Sequence, residues 1–158
     1  GLKVAYVGDG RNNVANSLML GCAKAGVNYV NCTPAELLPD PALVKEADET
    51  ARRNGATVEI FNDPARGVAG AHVLYTDVWV SMGKEAESAA RLKVLKGYQI
   101  NHALVKLAKP GALVMHCLPA YRGKEIDDET FEANADTIFT QAENRLHAQK
   151  AILKWAVS

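Results

Sequence analysis

Short apolar runs alternate along the chain with longer stretches in which apolar residues return every three or four positions. Val4-Ala5-Tyr6-Val7 has the length and composition of a buried strand. Behind it, Val14, Leu18, Cys22 and Ala25 fall at i, i+4, i+8 and i+11, the stripe of a helix that Asn12 or Asn13 can cap and Gly26 stops. A second strand runs through Tyr29-Val30. Asp40-Pro41 supplies an N-cap with proline at the first helical position. The helix it predicts carries Val44, Ala47 and Ala51 on one face, Arg52 and Arg53 in its last turn, and Gly55 beyond. Val58–Phe61 reads as a third strand, Asp63-Pro64 opens a shorter helix by the same device, and Val73–Thr76 reads as a fourth strand. After a Pro110-Gly111 turn, the run Ala112-Leu113-Val114-Met115 puts a fifth strand at Leu113 to Met115, and Thr137-Ile138-Phe139 reads as a sixth. Residues 142–157, with Leu146, Leu153 and Ala156 on one face, read as a final helix.

Parallel strands need helical crossovers, so strand–helix alternation over short connections predicts an α/β fold. The expected form is a doubly wound, Rossmann-like, mostly parallel sheet with helices on both faces, three layers in all. The 158 residues suffice for one such domain with a real core. Lys plus Arg and Asp plus Glu both number 18, so there is no basic field to attract nucleic acid. No apolar stretch approaches the roughly 20 residues that span a bilayer, and no signal-peptide pattern opens the chain. Cys22, Cys32 and Cys117 are odd in number and widely spaced, which suits reduced thiols in a cytoplasmic protein better than a disulfide framework. Gly1 rather than Met stands first, with a strand pattern from Lys3, as expected of a fragment or of a domain cut from something longer.

Candidate chemistry gathers where strands end, the usual place for ligands in open α/β sheets. Gly8-Asp9-Gly10 invites a dinucleotide reading. Against it, Asn13 occupies the place of the third glycine of a GxGxxG fingerprint, and Asn31, Cys32 and Thr33 stand where a ribose-binding carboxylate belongs. A nicotinamide enzyme, an empty structural turn and a substrate-binding turn all remain open at this point. Asp77 either caps the loop that follows or faces a substrate ammonium, which Ser81 could share. Met82 offers its backbone N–H to a carboxylate, and Gly83 lets the loop bend. His116-Cys117-Leu118-Pro119 brings out an imidazole and a thiol, either as packing or as a site. No second ligand pair accompanies them at a recognisable spacing, so no metal is expected. His72, His102 and His147 are isolated and read as surface or packing residues. A cysteine-protease arrangement would need a distant His with an orienting partner.

Gly8-Asp9-Gly10-Arg11-Asn12-Asn13-Val14, Asp77-Val78-Trp79-Val80-Ser81-Met82-Gly83, His116-Cys117-Leu118-Pro119 and Glu143-Asn144-Arg145 occur in this order. Together they resemble the ornithine-binding half of the ornithine carbamoyltransferases, over essentially the whole chain. The resemblance implies an ornithine-binding domain over residues 1–158, with 142–158 a final helix that packs on a preceding carbamoyl-phosphate domain. It implies that Asn13, Asp77, Ser81 and Met82 hold the α-amino and α-carboxylate groups of L-ornithine. Cys117 and the carbonyl of Leu118 would approach the attacking side-chain amine, and Arg145 would contact carbamoyl phosphate. Asp77, Cys117 and Arg145 are then the catalytic residues. A guanidinium suits a phosphate or a carbonyl oxygen, whereas a plain structural cation near the start of the final helix would stand at the wrong end of the dipole.

The reaction implied is transfer of the carbamoyl group to the δ-amine of ornithine, giving citrulline and phosphate without a cofactor. The family's Ser-x-Arg-Thr and His-Pro-x-Gln motifs occur nowhere in the sequence. The resemblance therefore implies that a preceding domain carries them, that this chain alone is inactive, and that the full enzyme is a homo-oligomer, a trimer or a multiple of one. A carbamoyltransferase for another amine fits less well. Putrescine would leave Asn13, Asp77 and Ser81 without a purpose, and aspartate would call for a cation near the Ser81 loop. A non-catalytic α/β small-molecule-binding domain is the alternative from a different class.

Overall fold

The computed structural model describes residues 1–80 and 88–158. Strands β1 (Lys3–Val7), β2 (Asn28–Cys32), β3 (Val58–Phe61), β4 (Val73–Thr76) and β5 (Leu113–His116) form one parallel sheet in the order β3-β2-β1-β4-β5. Both faces of the sheet are covered, which is why β1, β4 and β5 read as apolar runs, while β2 buries the polar Asn31 and the edge strand β3 exposes Glu59. Ala5, Val7, Val30, Cys32, Leu74 and Val114 point into one core; Tyr6, Tyr29 and Tyr75 point into the other. The doubly wound α/β fold expected from the alternation is the fold that forms.

Helices α1 (Asn13–Ala25) and α2 (Pro41–Arg53) cover the tyrosine side, burying Ala15, Met19, Ala47 and Ala51 there. Asn12 is the cap of α1, its side chain accepting the Val14 N–H at 2.7 Å, and Gly26 ends the helix. Asp40 and Asp63 cap α2 and α3 (Pro64–Val68) in the same way, each followed by proline. On the opposite side lie α3, with Val68 in the core, and α5 (His102–Val105), with Leu104 beside it. Helices α4 (Ser88–Leu95), α6 (Asp128–Ala133) and α7 (Ala135–Val157) complete the described chain. Among the described residues no helix is long and apolar enough to cross a membrane.

Three expectations need correction. Thr137-Ile138-Phe139 is not a strand but part of α7, which starts at Ala135 and not near residue 142. The β-favouring side chains lose here to a helical spacing. Ile138 is fully buried while Thr137 is partly and Phe139 largely exposed, and Gln141 and Ala142 follow Ile138 at i+3 and i+4 on the face turned to β5. Phe139 instead meets Phe131 of α6 edge-on, with ring centroids 6.0 Å apart. The fifth strand also runs one residue further than read, to His116.

Candidate active site

The chain winds outward from β1 through β2 to β3, then resumes on the other side of β1 with β4 and β5. The crevice beyond the ends of β1 and β4 is therefore the switch point at which open α/β sheets take ligands. One wall is the β1–α1 turn. A Cβ on Gly10 would stand 2.7 Å from the Leu37 carbonyl oxygen, so only glycine fits, and the Gly10 N–H donates to Thr33 Oγ1 at 2.9 Å. Asp9 is buried, its Oδ1 accepting the Arg11 N–H at 2.9 Å and its Oδ2 paired with Arg91 of α4. Arg91 Nε also donates to the Trp79 carbonyl at 3.0 Å, so one guanidinium ties this turn to the segment beyond β4. Asn13 begins α1 at the same turn and is exposed.

The other wall is built by strand register. Thr76 of β4 lies opposite His116 of β5, which brings the next residues, Asp77 and Cys117, together. The Cys117 thiol donates to Asp77 Oδ1 at 3.0 Å, and the Val78 N–H donates to the same oxygen at 2.7 Å. Among the described residues both bonds fall on Oδ1, and none falls on Oδ2. Burial, followed by the hydrogen bond to Asp77 and its charge, pushes the Cys117 thiol up to about 12. At neutral pH the sulfur is thus a protonated donor to Asp77, with lone pairs left to accept a hydrogen bond, and not a thiolate nucleophile.

His116 is fully buried and belongs to the scaffold of this wall. Its Nδ1 accepts the Leu118 N–H at 2.9 Å, so the ring proton sits on Nε2, which donates to Glu125 Oε1 at 3.2 Å. Glu125, also fully buried, takes the Tyr121 N–H at 2.6 Å as well. The pair pins the loop after β5 at both ends. Leu118 is held there at φ 58, a left-handed conformation that costs a residue with a Cβ roughly 1–2 kcal/mol and re-aims the peptide that follows.

Asp77 and Cys117 are thus in direct contact, Leu118 follows Cys117 in the chain, and Asn13 begins α1 at the turn beyond the neighbouring strand β1. Ser81 and Met82 lie outside the described residues. Arg145 is exposed in the interior of α7. Because that helix begins at Ala135, the dipole argument drawn from a helix start near residue 142 falls away. Among the described residues no group of three His, Cys, Asp or Glu is arranged to hold a metal ion. Arg91, Glu125, Tyr75 and Gln141 also shape the site, and sequence reasoning did not find them. Asp9 was visible in its glycine turn, but nothing in the local sequence marks its partner eighty-two positions away.

The three thiols differ in access: Cys117 is partly exposed, while Cys22 and Cys32 are buried. Thiol reagents are expected to label Cys117 first, and slowly at neutral pH because its proton is held. Peptide-resolved mass spectrometry reads the order. Faster labelling of Cys22 would show that the crevice is closed to small molecules.

The parallel sheet, wound outward from β1 on both sides and covered by helices, defines a Rossmann-like domain, with a carboxylate bonded to a thiol at its switch point. Residues 1–156 match the model of the family described as Aspartate/ornithine carbamoyltransferase, Asp/Orn binding domain, and the chain belongs to that family. It is 57% identical over 153 residues to the ornithine carbamoyltransferase of Gloeobacter violaceus, a match covering 97% of this chain and 49% of that protein. The solved ornithine carbamoyltransferase from Pyrococcus furiosus superposes with a TM-score of 0.90 at 49% identity, over 97% of this chain and 49% of that one. The anabolic enzyme from Campylobacter jejuni gives 0.93 at 36% identity, over 98% and 50%. The chain spans about half the length of the curated relatives it matches.

Proposed function

We propose that this chain is the ornithine-binding half of an enzyme that moves the carbamoyl group of carbamoyl phosphate onto the δ-amine of L-ornithine, releasing citrulline and phosphate. The observation that carries this reading is the Cys117–Asp77 contact at the switch-point crevice, in a chain whose relatives bear the ornithine carbamoyltransferase name. Asp77 Oδ2 takes the α-ammonium of ornithine. Asn13, Ser81 and the Met82 N–H are neutral donors, which suits the rest of a zwitterionic head that needs no further counter-charge.

The δ-amine resembles a lysine amine, with a pKa near 10.4, and only its neutral form carries the lone pair that attacks. At neutral pH the site has to offset roughly 4 kcal/mol of deprotonation. The Cys117 sulfur and the Leu118 carbonyl accept the amine's N–H bonds, aim its lone pair and hold it where burial disfavours the ammonium. Attack forms the C–N bond, the carbon–oxygen bond to phosphate then breaks, and the proton shed by the nitrogen leaves with the phosphate. Arg145 donates to the charge that develops on the carbamoyl and phosphate oxygens. The other donors belong to a carbamoyl-phosphate half that this chain does not include.

That half is proposed to seat on α7, whose Leu146, Ile152, Leu153 and Trp155 are exposed, Trp155 by 81%. Hydrogen exchange in the isolated chain is then expected to show the segment after Arg145 opening far more readily than β5. Equal protection in a demonstrably monomeric sample would mean that α7 is stabilised within its own domain. The reading also includes a cytoplasmic homo-oligomer, a trimer or a multiple of one, a setting in keeping with three free cysteines.

Joining the chain to the carbamoyl-phosphate half of a relative tests the proposal. Citrulline formation from ornithine, with little product from putrescine or aspartate, is expected. A folded two-half protein that binds carbamoyl phosphate but carbamoylates none of these amines would favour a non-catalytic binding domain.

A further inference from the structure

Two carboxylates leave the sheet side by side. Strands β1 and β4 are neighbours with Tyr6 opposite Tyr75, and Asp9 and Asp77 stand three and two residues further on. Both are buried, and their charges reach a common floor. Burial first, then Asp77 and more weakly Asp9, push the hydroxyl of the fully buried Tyr6 up. The two differ in what meets them. Asp9 Oδ2 is paired with the Arg91 guanidinium, and the side chains of Asp9 and Arg91 are only 8% and 20% exposed, so salt screens the pair little. Arg91 is also held by its Nε, which donates to the Trp79 carbonyl at 3.0 Å. The turn itself uses Asp9 Oδ1, which accepts the Arg11 N–H at 2.9 Å, and an asparagine oxygen would serve there as well. Among the described residues no cation pairs with Asp77, whose Oδ1 takes two uncharged donors, the Val78 N–H and the Cys117 thiol.

We propose that Arg91 sets the amine selectivity of the crevice by neutralising Asp9, which leaves Asp77 as the carboxylate of the two whose charge acts on a ligand. A single negative charge suits a head that carries an ammonium and a carboxylate together. Two would repel that carboxylate and favour a diamine, which brings a second ammonium in its place. Arg91 works through Asp9 and needs no contact with the ligand, so it is not a catalytic residue. The choice between amines rests on the carbamoyl-transfer reading; the charge pattern of the crevice does not.

The charge pattern is tested in this chain by labelling Cys117, which touches Asp77, with iodoacetate and with iodoacetamide at low ionic strength. Both reagents alkylate the thiolate, so the ratio of their rates cancels any change in its pKa and reads the local charge. Asp9 and Cys117 follow β1 and β5, two strand spacings or roughly 10 Å apart, where a unit charge changes the ratio about two- to tenfold. Arg91→Gln frees the Asp9 charge and is expected to lower the iodoacetate-to-iodoacetamide ratio by that factor. Asp9→Asn leaves the guanidinium unmatched and should raise it. The double variant and Arg91→Lys should both keep the parent ratio, the first having neither charge and the second both. An unchanged ratio in Arg91→Gln with native circular dichroism overturns the proposal. So do shifts of the same sign in the two single variants, which would mean that shape and not charge had changed. If Arg91→Gln fails to fold, Asp9→Asn and the double variant decide: a ratio raised in the first and restored in the second supports the proposal, and an unchanged ratio overturns it. In the completed enzyme Arg91→Gln should shift kcat/KM from ornithine towards putrescine by a similar factor. A changed labelling ratio with an unchanged preference would overturn the selectivity role. Failure of the unmutated enzyme to carbamoylate ornithine would instead overturn the carbamoyl-transfer reading, while the labelling ratio still decides the charge pattern.

Discussion

Asp77→Asn, in the enzyme completed by its carbamoyl-phosphate half, is expected to lower kcat/KM for ornithine by about 2–4 kcal/mol and to leave carbamoyl-phosphate affinity nearly unchanged. The amide keeps the shape of the side chain, and its oxygen can still accept from Val78 and Cys117, the two donors that Oδ1 serves. What disappears is the charge proposed to offset the α-ammonium. Steady-state kinetics with each substrate varied in turn separates the two effects. An equal loss for both substrates would move Asp77 away from the amino-acid head.

The second large effect is on stability. His116→Ala leaves the buried Glu125 carboxylate without its imidazole donor, orphans the Leu118 N–H and opens a void beneath the loop. A lost hydrogen bond to a buried carboxylate, an unsatisfied N–H and a void together cost about 3–5 kcal/mol, a large share of the roughly 5–15 kcal/mol that stabilises a typical domain. Urea unfolding should show the midpoint falling at an unchanged slope. A loss below about 1 kcal/mol would mean that water reaches Glu125 and replaces the ring.

These two residues also mark what the sequence could and could not reveal. Strands β1, β4 and β5 were legible because burial on both faces leaves apolar runs, and α1, α2 and α3 because Asn12, Asp40 and Asp63 announce their starts. Thr137-Ile138-Phe139 misled because three β-favouring residues carry too short a pattern to reveal period, and only the burial of Ile138 together with Gln141 shows the helical one. Asp77 and Cys117 were recognisable separately as residues at strand ends. Their hydrogen bond was not, since it depends on β4 and β5 being neighbours in a particular register. His116 had been open between ligand and packing, and the answer lay in Glu125, which no spacing rule singles out. Arg91, Tyr75 and Gln141 were hidden for the same reason: each acts through a partner that only the fold brings near.

The central claim is that the ornithine side chain lies against Cys117, and protection of that thiol tests it most directly. In the completed enzyme, iodoacetamide labelling of Cys117 is to be followed with carbamoyl phosphate alone and then with L-ornithine added. Ornithine is predicted to suppress labelling of Cys117 in step with its KM, while labelling of Cys22 stays as it was. Undiminished labelling of Cys117 at saturating ornithine, in a preparation that forms citrulline, would contradict the account and put the amine elsewhere.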